Sequence, residues 1–123
     1  MTTSTSLPPP PPLGVLLVTG ASRGIGAAVA RRAALDGWDV AINYTRDEAA
    51  AQRVAQDVRQ AGRRALVVQA DVADERAVLA MFGAVDRELG VLRGLVNNAG
   101  VVDRAQRVDE MSGERLHRMM STN

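Results

Sequence analysis

Residues 15–26 read VLLVTGASRGIG: four apolar β-favouring residues run straight into a turn with glycine at positions 20, 24 and 26 and a basic residue, Arg23, between them. Apolar Val15, Leu16, Leu17 and Val18 predict a buried strand, Val15 to Thr19, and the periodicity that follows predicts a helix from about Gly24 to Asp36. A strand that turns into a helix through glycines presents free backbone N–H groups and the positive end of the helix dipole, a combination that suits a phosphate. Glycine at the turn also lets a ligand approach the backbone closely. The spacing is G-x-x-x-G-x-G, because position 29 is Val, and so departs from the dinucleotide fingerprint G-x-G-x-x-G.

Outward from this turn the chain alternates strand and helix. Gly37 stops the first helix, Asp39 to Tyr44 reads as a second strand, and Asp47 to Ala61 as a second helix with Ala51, Val54, Val58 and Ala61 on one face and Gly62 after it. Ala65 to Ala70 is a third strand. Asp74 to Leu89 is a third helix with Val78, Phe82, Val85 and Leu89 at helical spacing, and roughly Gly94 to Asn97 is a fourth strand. A polar linker then leads to a helix around Ser112 to Ser121. This alternation predicts an α/β fold, a doubly wound parallel sheet of strand order 3-2-1-4 with right-handed crossovers, ending after the fourth strand and its helix. The domain is expected over residues 14–123, preceded by a disordered tail, residues 1–13, that carries five consecutive prolines.

The 123 residues suffice for one domain, and 46% of them are apolar. A net charge of +1 gives no field directed at nucleic acid or an anionic membrane, and no partner of either kind is expected. The tail lacks the basic start and apolar centre of a secretory signal, and no apolar run is long enough to span a bilayer. With no cysteine, disulfides and thiolate sites are excluded, which suits a reducing compartment, and a cytoplasmic location is expected. A lone His117 cannot build a metal cluster, so no metal site is expected. All fifteen basic residues are arginine. A Walker-type loop, which needs its Lys on the phosphates, is thereby excluded. The doublets Arg31-Arg32 and Arg63-Arg64 are expected on the solvated surface.

Three motifs in order, TGASRGIG at residues 19–26, Asp71-Val72 closing the third strand and NNAG at residues 97–100 closing the fourth, together resemble the short-chain dehydrogenase/reductase family. Each sits at the carboxyl end of a predicted parallel strand, where such sheets bind ligands. The resemblance implies a small dinucleotide as ligand. It places the pyrophosphate on Gly20, Ser22, Arg23, Gly24, Ile25 and Gly26, the adenine on Asp71 and Val72, and the nicotinamide ribose along Asn98, Ala99 and Gly100, with Asn97 bracing the sheet. Full-length members are expected to be homo-oligomers.

Selection of NAD needs a carboxylate about 20 residues beyond the glycine turn, on the ribose 2′-OH. Here Asn43, Tyr44 and Thr45 end the second strand without an acid, Arg46 follows, and Arg23 lies in the turn. Two guanidiniums favour a phosphate dianion, so NADP rather than NAD is the expected cofactor. Asp47 and Glu48 are the opposing charges, assigned to the first turn of the second helix.

The family's chemistry uses a Tyr with a Lys four residues on, a Ser and an Asn. Only the Asn matches, at Asn123; Tyr44 is the sole tyrosine and there is no lysine. The resemblance therefore covers the amino-terminal half of an NADP-dependent oxidoreductase, without the residues that complete carbonyl reduction. The alternative is a stand-alone, non-catalytic dinucleotide-binding module. In either case the fourth strand is expected to be an open sheet edge.

Overall fold

The computed structural model describes residues 10–98 and the backbone of residues 105–107. Its elements in chain order are β1 (Val15–Val18), α1 (Gly24–Asp36), β2 (Asp39–Tyr44), α2 (Glu48–Gln60), β3 (Ala65–Gln69), α3 (Glu75–Glu88), β4 (Leu92–Val96) and β5 (Ala105–Arg107). They form one sheet in the order β3-β2-β1-β4-β5, in which β1 to β4 are parallel as expected.

β1 explains why both sheet faces are covered. Successive side chains point to opposite faces. Leu16 and Val18 join Val40 and Ile42 beneath α1 and α2, while Val15 and Leu17 join Ala41 and Leu95 beneath α3. Leu17 and Val18 have no solvent exposure at all, as fits a strand buried on both sides. Ala27, Ala30, Ala33 and Ala34 give α1 a small-residue face that lies close to the sheet and to α2. The apolar stripe of α2 is confirmed at Ala51, Val54 and Val58. On α3, Val78 and Val85 are buried together with Met81, which the expected stripe did not include.

The helix ends follow from their residues. Gly37 takes φ 111 and donates to Ala34, while Trp38 donates to the Ala33 carbonyl, closing α1. Asp47 and Asp74 cap α2 and α3, accepting from Ala50 N and from Arg76 N and Ala77 N. Gly62 and Gly90 follow α2 and α3 with φ 88 and φ 110.

Three expectations change. β4 is not an open edge: β5 pairs antiparallel with it, Leu95 opposite Gln106, where the sequence reads as a polar linker. A three-residue polar strand carries no periodic apolar signal, and only the register of β4 reveals it. Secondly, Arg63 is not on the surface; it is 8% exposed and donates to the carbonyls of Gly37, Gly62 and Pro10. Arg64 grips the buried Asp39 through its backbone N–H and its guanidinium and donates to the Leu89 carbonyl at the end of α3. Thirdly, the last residues assigned to the tail are held: Leu13 donates to Gly37 and Pro10 accepts from Arg63. The helix expected around Ser112 to Ser121 lies outside the described residues. Among the described residues no helix is long and apolar enough to cross a membrane.

Candidate functional site

The carboxyl ends of β1, β2 and β4 meet at the glycine turn, which is held by side chains from three strands. Gly20 takes φ 59 and Gly24 φ 63, left-handed conformations that favour glycine. Gly26 is required for space instead: a Cβ there would stand 2.4 Å from the Gly20 carbonyl oxygen and 2.7 Å from Asn98 Nδ2. Asn98 donates to that same Gly20 carbonyl at 3.1 Å, so the third glycine lets the turn, the helix and the end of β4 close on one another.

Asn43 locks the turn from the other side. Fully buried, its Oδ1 accepts from Gly20 N at 3.1 Å and its Nδ2 donates to the Ala70 carbonyl at 3.1 Å. Its backbone carbonyl accepts from Ala21 N. Asn43 is a strut binding the ends of β1, β2 and β3, because both polar atoms of its side chain are used internally. Thr19 plays the matching part toward β4, donating to Asn97 Oδ1 at 3.0 Å and accepting from Asn98 N at 2.8 Å. Asn97 thus braces the sheet as the resemblance implied. Its buried Nδ2, however, has no hydrogen-bond partner among the described residues. An orphaned buried donor costs about 1–3 kcal/mol.

The start of α1 suits an anion. Its N-cap, Arg23, has extended backbone (φ −158, ψ 175), its side chain makes no capping bond, and the first turn holds no acid. The opening N–H groups are therefore left to a ligand or to water. Ser22 is half-buried and Ile25 is 75% exposed beside these groups.

A polar cavity of about 490 Å³ opens between the first turns of α1 and α2, lined by Ser22, Arg23, Gly24, Ala27, Arg31, Asp47, Ala50 and Arg53. Three guanidiniums thus face one carboxylate. Arg23, in the glycine turn, is one of them. Arg31 and Arg53, one helical turn or more into α1 and α2, were not expected, because only the packing of the two helices brings them to the same opening. Arg31 also pairs with Asp57 at 2.7 Å. Arg46 is exposed and is not among the residues lining this cavity.

Asp47 carries more than its assigned role in the first turn. Oδ1 caps α2 through Ala50 N at 3.0 Å, and Oδ2 lies 2.8 Å from Arg23 Nη2. The Ala50 amide holds its carboxyl below the usual range; burial opposes this, and Arg23 and Arg53 reinforce it. Because the Arg23 side chain is 76% exposed and solvent screens the charges, the ion pair contributes little stability.

At the remaining positions, Tyr44 is half-buried, its hydroxyl pushed above the ordinary phenol range by burial and by Glu48. Thr45 is exposed, with its carbonyl accepting from Gln69. Asp71 is exposed and accepts from Ala73 N at 2.9 Å, forming an Asx turn, while Asp74 is the cap of α3. Val72 is only 8% exposed and packs into the core beneath α3. Ala99, Gly100 and Asn123 lie outside the described residues. An apolar groove of about 400 Å³ runs along α1 past Ile25, Val29 and Trp38.

Residues 14–123 match the family model for short chain dehydrogenases. The chain is 46% identical over 111 residues to the uncharacterized oxidoreductase YgfF of Escherichia coli K12, covering 90% of this chain and 45% of that protein. It is 44% identical over 85 residues to the 3-oxoacyl-[acyl-carrier-protein] reductase FabG of Staphylococcus aureus, covering 69% of this chain and 35% of that protein. A dehydrogenase/reductase from Sinorhizobium meliloti 1021 superposes with a TM-score of 0.72 at 34% identity, covering 89% of this chain and 47% of that one. The chain thus spans less than half the length of these relatives, and the residues matched by the family model include the glycine turn, Asn43 and the Asn97-Asn98 pair. It belongs to the short-chain dehydrogenase family of oxidoreductases.

Proposed function

We propose that the chain binds NADP(H) in preference to NAD(H) and forms the cofactor-binding half of a short-chain oxidoreductase. The observation that carries this is the cavity at the start of α1, where Arg23, Arg31 and Arg53 outnumber Asp47. A 2′-phosphate is the part of NADP that such a set distinguishes from the 2′-OH of NAD. The end of β2 supports the same choice, since Asn43, Tyr44 and Thr45 supply no carboxylate for a ribose hydroxyl. The uncapped N-terminus of α1 and the space kept by Gly26 suit the pyrophosphate, and the exposed Asp71 suits the adenine amino group.

The bound nicotinamide supplies hydride transfer to or from a carbonyl carbon. A carbonyl reduction also needs a proton donor for the alkoxide. Tyr44, the sole tyrosine, stands at the end of β2 with its hydroxyl held protonated, and the 123 residues contain no lysine to pair with it. On this reading the 123-residue chain binds cofactor without turning over ketones, and the proton donor comes from further polypeptide. Calorimetric titration of the chain with NADP⁺ and NAD⁺ tests the assignment. Tighter binding of NADP⁺ by tenfold or more is expected, with the gap narrowed by Arg23→Ala. Equal affinities, or no binding of either nucleotide, would overturn it.

A further inference from the structure

We propose that Asp47 is a built-in competitor for the 2′-phosphate, a carboxylate that occupies Arg23 and sets how strongly this site prefers NADP(H) over NAD(H). The inference rests on the cavity between α1 and α2 being the 2′-phosphate site. The two partners of the ion pair are held very differently. Asp47 is pinned, with Oδ1 accepting from Ala50 N at 3.0 Å as the cap of α2. Arg23 is anchored only by its backbone; its side chain is 76% exposed and its Nη2 reaches Asp47 Oδ2 at 2.8 Å.

A phosphate dianion entering this cavity meets the Asp47 carboxylate among its lining groups. Arg23 must then divide its donors between the two anions or leave Asp47 for the phosphate, and in either case Asp47 opposes the incoming charge. Arg53 lines the same cavity and makes no ion pair among the described residues, whereas Arg31 is committed to Asp57 at 2.7 Å. Arg53 is thus the cation best placed to offset Asp47 when Arg23 moves. The 2′-OH of NAD carries no charge and is not repelled by the same carboxylate, and an amide oxygen at position 47 could still accept from it. Capping and cofactor choice therefore depend on the two oxygens of one side chain.

Asp47→Asn separates the two roles, because an amide oxygen still caps α2 while the charge is gone. Titration with NADP⁺ and NAD⁺ is expected to show NADP⁺ affinity rising about 3- to 10-fold and NAD⁺ affinity changing less than about twofold, the size of effect that screened like charges near a surface produce. Asp47→Ser, which caps through its hydroxyl, should behave alike, and thermal melts of both variants report whether the fold is intact. The pair 2′,5′-ADP and 5′-AMP, which differ only in the 2′-phosphate, should repeat the pattern. An NADP⁺ preference in the unsubstituted chain that neither variant moves, or variants that tighten both nucleotides equally, would overturn the role of Asp47 alone. Failure of the unsubstituted chain to bind either nucleotide would overturn the site assignment with it.

Discussion

Asn43 Oδ1 accepts a hydrogen bond from Gly20 N at 3.1 Å, joining the end of β2 to the glycine turn 23 positions earlier. With Nδ2 on the Ala70 carbonyl, one buried amide fixes the spacing of three strand ends and the shape of the turn. The turn is therefore a preformed part of the sheet.

Replacing Asn43 should affect stability and binding together. Asn43→Ala leaves Gly20 N and the Ala70 carbonyl without their buried partner, and each unsatisfied group costs about 1–3 kcal/mol. Urea unfolding is expected to show a loss of about 2–4 kcal/mol. Nucleotide affinity should fall with it; a variant of undiminished stability would show that the strut carries no strain-bearing role.

Gly26 and Gly94 offer a contrast within one chain. An added Cβ at Gly26 meets the Gly20 backbone oxygen at 2.4 Å, whereas at Gly94 it meets the tip of Leu16, Cδ1, at 2.7 Å. Backbone of a braced turn cannot retreat, but a leucine methyl can turn aside at about 1–3 kcal/mol. Gly26→Ala should therefore abolish nucleotide binding, while Gly94→Ala folds with a modest loss and keeps it. The check is calorimetry on both variants, and similar behaviour of the two would contradict the geometry.

The Asp39–Arg64 pair should be asymmetric. Asp39 is 3% exposed and Arg64 58%. Arg64→Ala leaves a buried carboxylate without its guanidinium but with its bond from the backbone N–H of residue 64, at a cost of about 1–3 kcal/mol. Asp39→Asn leaves a mostly solvated arginine and an amide oxygen that can still accept from Arg64 N, so its cost should be clearly smaller. Chemical denaturation of the two variants gives the order directly.

Asp47 should also shape the acid limb of stability. Its folded-state carboxyl lies below the ordinary value, so the folded chain binds fewer protons there than the unfolded chain. The stabilisation is complete above the unfolded carboxylate value, near pH 4, and is lost as pH falls through the lower folded value. Asp47→Asn should melt with a shallower decline below about pH 4 than the unsubstituted chain. Parallel curves for the two proteins would contradict this.

What the sequence by itself determined is what depends on neighbours along the chain. Alternating apolar runs of Val15–Val18, Asp39–Tyr44 and Ala65–Gln69 with helical stripes at Val54 and Val58 or Val78 and Val85 specified the parallel sheet, its strand order and the glycine turn at the end of β1. Local chemistry likewise marked Gly37, Gly62 and Asp74 as helix ends. Tertiary structure alone decided the partners of polar groups, because those are fixed by which elements pack together. It turned Asn43 inward, buried Arg63 among three carbonyls, gathered Arg31 and Arg53 beside Arg23, and laid Arg23 on Asp47. A charged side chain carries no periodicity, and its partner 24 positions away becomes visible only when two helix N-termini are set side by side at the carboxyl ends of β1 and β2.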